Sequence, residues 1–162
     1  MTNVNDKSFR TPRTIDACLP ASAGRGVFFE MEATMDPNLL AIVIPLLCQV
    51  ESNNQPNAIG DYGGAIGILQ IRLIMIADVN RIQKETRYYL SDRWDVQKSY
   101  EIATIYFEHY GPKAIRGLKT EEKKVVTLAR MWNGGPCGHR KLATWRYGRK
   151  VRKLYRERKV KK

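Results

Sequence analysis

The sequence is poor in the residues that build metal centres and cross-links: its 162 residues include three cysteines and two histidines. Cys18, Cys48 and Cys137 form no CxxC pair, and beside His109 and His139 they give neither a zinc-ligand spacing nor a disulfide framework. No metal and no cofactor is expected, the histidines receive no role, and the cysteines read as free thiols of a chain made in a reducing compartment. Long apolar runs are also missing. "LLAIVIPLLCQV" is the longest candidate, contains Pro45, and falls short of the ~18 residues of a membrane span. The opening "MTNVNDKSFRTPRT" lacks a basic start followed by an apolar stretch, so no secretory signal is read there and synthesis in the cytoplasm is expected. Strand-like alternation is scarce, and no repeat of about 20 to 50 residues is visible.

What is present suits one mostly helical domain. Hydrophobic residues make up 43% of the chain, too many for a disordered polymer and enough for a core at this length. The formal net charge is +12, but from Arg146 to Lys162 there are ten basic residues and one acid, so this segment holds +9 of it. Such a segment is attracted to nucleic acid, to an anionic membrane surface or to an anionic wall polymer, and charge alone does not choose. No helix-turn-helix or RNA-binding signature accompanies it, which argues against nucleic acid.

Residues 1 to 35 show no sustained period, and Pro12, Pro20, Gly24 and Gly26 break any helix, so they read as an irregular arm, with "GVFFEME" a short strand or turn. Asp36-Pro37 is a helix start, and the segment that follows is apolar nearly all round, with a kink expected at Pro45. After an Asn- and Gly-rich loop over 52 to 66, the segment "GILQIRLIMIADVNRI" reads as a second buried helix. A third helix is expected from Asp95 to Tyr110, ended by Gly111-Pro112, and a fourth from Thr120 to Gly134. A last basic helix over about 141 to 158 is expected to pack Leu142, Trp145, Val151, Leu154 and Tyr155. The organisation is therefore an arm over 1–35, a domain over 36–155 and a basic tail over 156–162.

One acid stands out. Glu51 ends the most apolar helix, where contact with apolar surface disfavours the charged form, the condition for a carboxylic acid that keeps its proton near neutral pH. A glutamate in the "EEKK" segment has no such setting.

The residues around it carry a resemblance. Glu51-Ser52, then Asn54 and Pro56 with Asn57, then "GAIGILQI", and later "ARMWNGGP", resemble the ordered motifs of the soluble lytic transglycosylase and goose-type lysozyme family. That family carries a Glu-Ser pair, an Asn-Pro, a Gly-Leu-Met-Gln segment and an Ala-Tyr-Asn-Ala-Gly segment. The resemblance covers about residues 37 to 155 and implies a mainly α, lysozyme-like domain with a groove between helical segments. It implies cleavage of the β-1,4 bond between N-acetylmuramic acid and N-acetylglucosamine in peptidoglycan, with Glu51 as general acid and base. Ser52, Tyr62, Gln70, Trp132, Asn133 and Gly134 are then the expected substrate-binding residues.

Two departures bear on mechanism. Trp132 stands where the family has Tyr and offers no hydroxyl to orient the Glu; Gly60 stands where many relatives have Ser. Asp61 is either an acid that positions water, as in goose-type hydrolases, or a turn residue of Asp-Tyr-Gly-Gly. With one Glu, the sugar's own 6-hydroxyl attacks and a 1,6-anhydro end results; with Asp61 assisting water, a lysozyme results. The alternatives outside catalysis are a wall-binding or a nucleic-acid-binding protein using the basic tail. Trp94, Trp145, Tyr62 and Tyr106 are candidate sugar-stacking faces, Tyr106 being better placed for the core. Small size, the absent signal and the basic tail suit a monomeric bacteriophage lysis protein, or a particle component that opens the wall at entry.

Overall fold

The computed structural model describes residues 34–160. The expected arm up to residue 33, with "GVFFEME" and Cys18, and the last two lysines lie outside them. Helix α1, Pro37–Ser52, starts as the sequence implies: Asp36 is extended, its carboxylate accepts from the Asn38 N–H at 2.9 Å, and Pro37 occupies the first turn. The helix runs on through Pro45. It ends because Asn53 and Asn54 both take left-handed backbone angles, and their N–H groups close on the Gln49 and Cys48 carbonyls. Two asparagines thereby fix Glu51 in the last turn.

The segment expected to be one helix from residue 67 divides. A small antiparallel sheet forms from β1, Ile59–Gly60, β2, Ala65–Ile66, and β3, Ile71–Arg72, with Ile59 opposite Ile66 and Ala65 opposite Arg72. Helix α2 begins only at Leu73 and runs to Gln83. Gly67 and Gln70 have positive φ, which turns the chain back before β3 and excludes helix there. Leu73 and Ile74, read as buried helix positions, are consequently exposed.

Helix α3, Val96–Ile115, continues past Gly111-Pro112 instead of ending there. Gly111 is buried at a close contact: a Cβ on it would lie 2.6 Å from the Met35 sulfur and 3.3 Å from Leu128. Packing outweighs the local breaker signal. Helix α4, Glu121–Gly134, follows the expectation, with Thr120 accepting from the Lys123 N–H and two acids in the first turn. Helix α5, Trp145–Val160, starts later than expected, after two short 3₁₀ turns; Leu142 and Trp145 face solvent, while Val151 and Tyr155 are buried.

The core lies between α1, α3, α4 and α5, with Leu47, Ile102, Phe107, Leu128, Met131 and Val151 essentially inaccessible. Met35 is buried in it as well, so the last residue assigned to the arm belongs to the domain. Helix α5 is held on α4 by more than apolar contact. Arg156 pairs with Glu122 at 2.9 Å, Lys159 with Glu121 at 2.9 Å, and Arg152 reaches Glu122 at 3.4 Å. These pairs carry the helix through residues 156–160. Cys48 is a free buried thiol, as read; Cys137 is disulfide-bonded, which corrects the free-thiol reading for that residue. Among the described residues no helix is long and apolar enough to cross a membrane, and no His, Cys, Asp and Glu group suits a metal ion.

Candidate active site

A cavity of about 480 Å³ opens where the end of α1, the small sheet, the start of α2 and the end of α4 meet. It brings together Glu51, Asp61, Gln70, Trp132 and Asn133, five of the residues singled out from sequence. Gly135 and not Gly134 lines it, and neither Ser52 nor Tyr62 does.

Glu51 is half-buried, and burial raises its pKa above the ordinary carboxylate range. Three groups oppose that rise, in order: a hydrogen bond from Tyr147, the charge of Arg72 and the Trp132 indole. The Tyr147 hydroxyl donates to Glu51 Oε1 at 2.7 Å. Burial and the neighbouring Glu51 push the Tyr147 phenol far above its usual range, so it remains a donor at every working pH. The hydroxyl that Trp132 lacks is thus supplied from α5.

No motif marked Tyr147. The available signal was its place four residues before Val151, on the buried face of an otherwise basic helix, where a tyrosine needs a partner for its hydroxyl. Tyr147→Phe removes a donor that favours the carboxylate, so the Glu51 pKa rises further. The basic limb of the kcat/KM profile is expected to move to higher pH, with a rate loss of about tenfold at neutral pH. An unmoved limb in a pH titration of the variant would show that Tyr147 has no hold on the acid.

Trp132 is buried and packs edge-on to Tyr106, with ring centroids 5.8 Å apart, and against Phe107 at 5.7 Å. Only 7% of Trp132 is exposed, so little of the indole is left to stack on a sugar ring. Tyr106 is a core residue, whereas Trp94, Trp145 and Tyr62 are exposed. Ser52 Oγ donates to the carbonyls of Ile68, at 2.7 Å, and Cys48, riveting the end of α1 to the turn before β3. Gln70 Nε2 donates to the Ala58 and Gly67 carbonyls, which ties the sheet to the preceding loop while the side chain still lines the cavity. Gly60 leaves the room for this: a Cβ there would sit 2.2 Å from Gln70 Oε1.

Asp61 lies at the tip of the β1–β2 hairpin, where Asp61, Tyr62 and Gly63 all have positive φ and the Gly64 N–H closes on the Asp61 carbonyl. Its carboxylate forms an ion pair with Arg72 on β3. Asn133 is exposed in the last turn of α4, facing the cavity.

An acid with a raised pKa, a fixed hydroxyl donor beside it and a polar amide across an open cleft make an arrangement able to protonate a leaving oxygen. The family of the transglycosylase SLT domain matches residues 29–145, from before the first described helix to the start of α5. No curated protein matches the chain. With that match covering most of its length and the fold mainly helical, the chain belongs to the transglycosylase SLT domain family, enzymes that cleave the glycan strands of peptidoglycan.

Proposed function

We propose that the protein is a lytic transglycosylase in which Glu51 alone carries both proton transfers. The observation that supports this reading is the contrast between the cavity's two carboxyl groups. Glu51 is desolvated and held by Tyr147, whereas Asp61 is more than half exposed and committed to Arg72. In the first step Glu51 gives its proton to the glycosidic oxygen of N-acetylglucosamine as the bond to C1 of N-acetylmuramic acid breaks, with the N-acetyl group assisting at C1. In the second, the Glu51 carboxylate takes the proton of the muramic 6-hydroxyl while that oxygen bonds to C1. The products are a free 4-hydroxyl and a 1,6-anhydro end, and Glu51 is regenerated.

Mass spectrometry of peptidoglycan digested by the purified protein tests the proposal. Anhydro ends are expected. Reducing ends would transfer the reaction to hydrolysis with Asp61 placing water, and no fragments would make the protein a wall binder.

The outer face of α5 is proposed to hold the protein to anionic wall polymer. Arg146, Arg149 and Lys150 are exposed there, and Arg149 stacks on Trp145 at 4.9 Å. Removing residues 150–162 is an unsuitable test, because Val151 and Tyr155 belong to the core. Replacing Arg146, Arg149 and Lys150 by Gln should instead weaken sedimentation with cell walls and flatten its salt dependence. Unchanged binding would remove α5 from wall attachment.

A further inference from the structure

The proposed reaction concerns neutral sugar rings, yet the cleft holds a cation. Among the described residues that line the cavity, Arg72 is the only positively charged one. Its charge is felt at Glu51, which places it close to the reacting centre. Structural need does not account for it. Its partner is Asp61, and the two side chains are 63% and 54% exposed, a setting in which an ion pair contributes only about 0–1 kcal/mol. Sugar hydroxyls are bound well by neutral amides and do not require a guanidinium.

The geometry points to Arg72 as a carboxylate-binding subsite that takes an acidic group of the short peptide carried on the glycan strand. The inference rests on the glycan-cleavage reading above for its substrate. Asp61 engages Nη2 of Arg72, which leaves the rest of the guanidinium's fork of donors for a second, bidentate carboxylate. Both partners are fixed on one small sheet. Arg72 stands opposite Ala65, which stands opposite Gly60, so the left-handed turn at 61–63 that follows Gly60 presents Asp61 at the same end of the sheet. Asp61 therefore biases where the guanidinium sits before the ligand arrives, which trims the ordering cost of binding. Next to the cation, Leu73 and Ile74 are each 61% exposed, an apolar surface continuous with the cavity through Ile74. A cation beside exposed aliphatic side chains matches a short peptide that alternates small apolar residues with acidic ones. Such peptides carry the carboxylates of a stem-bearing strand, in which the lactyl carboxyl of N-acetylmuramic acid is tied up in the amide to the peptide.

Two substrates test it: glycan strands bearing acidic stem peptides, and the same strands with the stem carboxylates amidated. The ratio of kcat/KM between the two should favour the acidic strands in the wild type and fall about tenfold or more in Arg72→Met, with Arg72→Lys between them. The same ratio in all three proteins would overturn the inference. A binding measurement separates this from the catalytic reading. Calorimetry on Glu51→Gln should show a soluble disaccharide-peptide binding about tenfold more tightly than the same compound with its carboxylates amidated, and Glu51→Gln/Arg72→Met should lose that difference. Equal affinities in the single variant would sink the subsite whatever the enzyme cleaves. Intact discrimination in a wild-type protein that cleaves neither strand would sink the catalytic proposal and leave the subsite standing.

Discussion

Glu51→Gln is expected to lose wall-clearing activity by about 10²- to 10⁴-fold while remaining folded. The amide keeps the size and can still accept from the Tyr147 hydroxyl, so the packing around it survives. What disappears is the transferable proton. The variant also reports on the electrostatics. Because burial raises the folded-state pKa of Glu51, the folded protein holds that proton more tightly than the unfolded chain. The associated stability is fully present below the unfolded pKa and is lost as pH rises through the folded one. Above that value the wild type carries a poorly solvated carboxylate and the variant does not. Thermal melts at stepped pH should therefore show Glu51→Gln gaining on the wild type across that interval and matching it in acid. Retained activity would transfer the acid's role elsewhere, with Asp61 the next residue to test; a constant melting difference would show that Glu51 is not desolvated.

The largest effect on folding is expected at Gly67. It has φ of +79°, and a Cβ placed on it would lie 1.9 Å from the Arg93 carbonyl oxygen and 3.0 Å from its carbon. Neither side can yield easily. The Gly67 N–H donates to Ala58 O at 2.9 Å and its carbonyl accepts from the Gln70 N–H at 3.1 Å, while Arg93 is itself buried with Nε on the Leu90 carbonyl. Gly67→Ala should cost about 3 kcal/mol or more, from the clash and the strained backbone together. Gly63 supplies the control. It also has positive φ, at +90°, but a Cβ there meets nothing within 4 Å, so Gly63→Ala should cost only about 1 kcal/mol. Urea midpoints of the two variants separate the terms, and equal losses would show that the Arg93 contact is relieved at no cost.

Helix ends were legible wherever the chain terminated them with its own side chains. Asp36 before Pro37 and Thr120 before two acids state their roles locally, and the structure uses them so. The sheet was not legible, because its strands are two residues long and leave no alternation to read; Gly67 and Gln70 create them by turning the chain. Gly111-Pro112 misled for the opposite reason, since a buried contact with Met35 and Leu128 decides its conformation and that contact is invisible in the sequence. At the site, the half-buried setting of Glu51 was legible from the apolar run it ends. The partner that orients it was not, because Tyr147 is ninety-six positions away and belongs to a segment whose evident feature is charge.

That distance makes the proposed acid a sensor of the molecule's integrity. The chief cause of the raised Glu51 pKa is burial away from water, and α5 contributes to that burial through the very tyrosine that donates to the carboxylate. If the start of α5 lifts away, water reaches the carboxyl, its proton affinity relaxes towards that of any surface glutamate, and the donor leaves together with the shielding. Fraying beyond Tyr155 has no such consequence. With Glu51 as the proposed acid, a partly opened molecule would be disarmed before it is unfolded, and digestion of the wall would fall to chains whose last helix has docked.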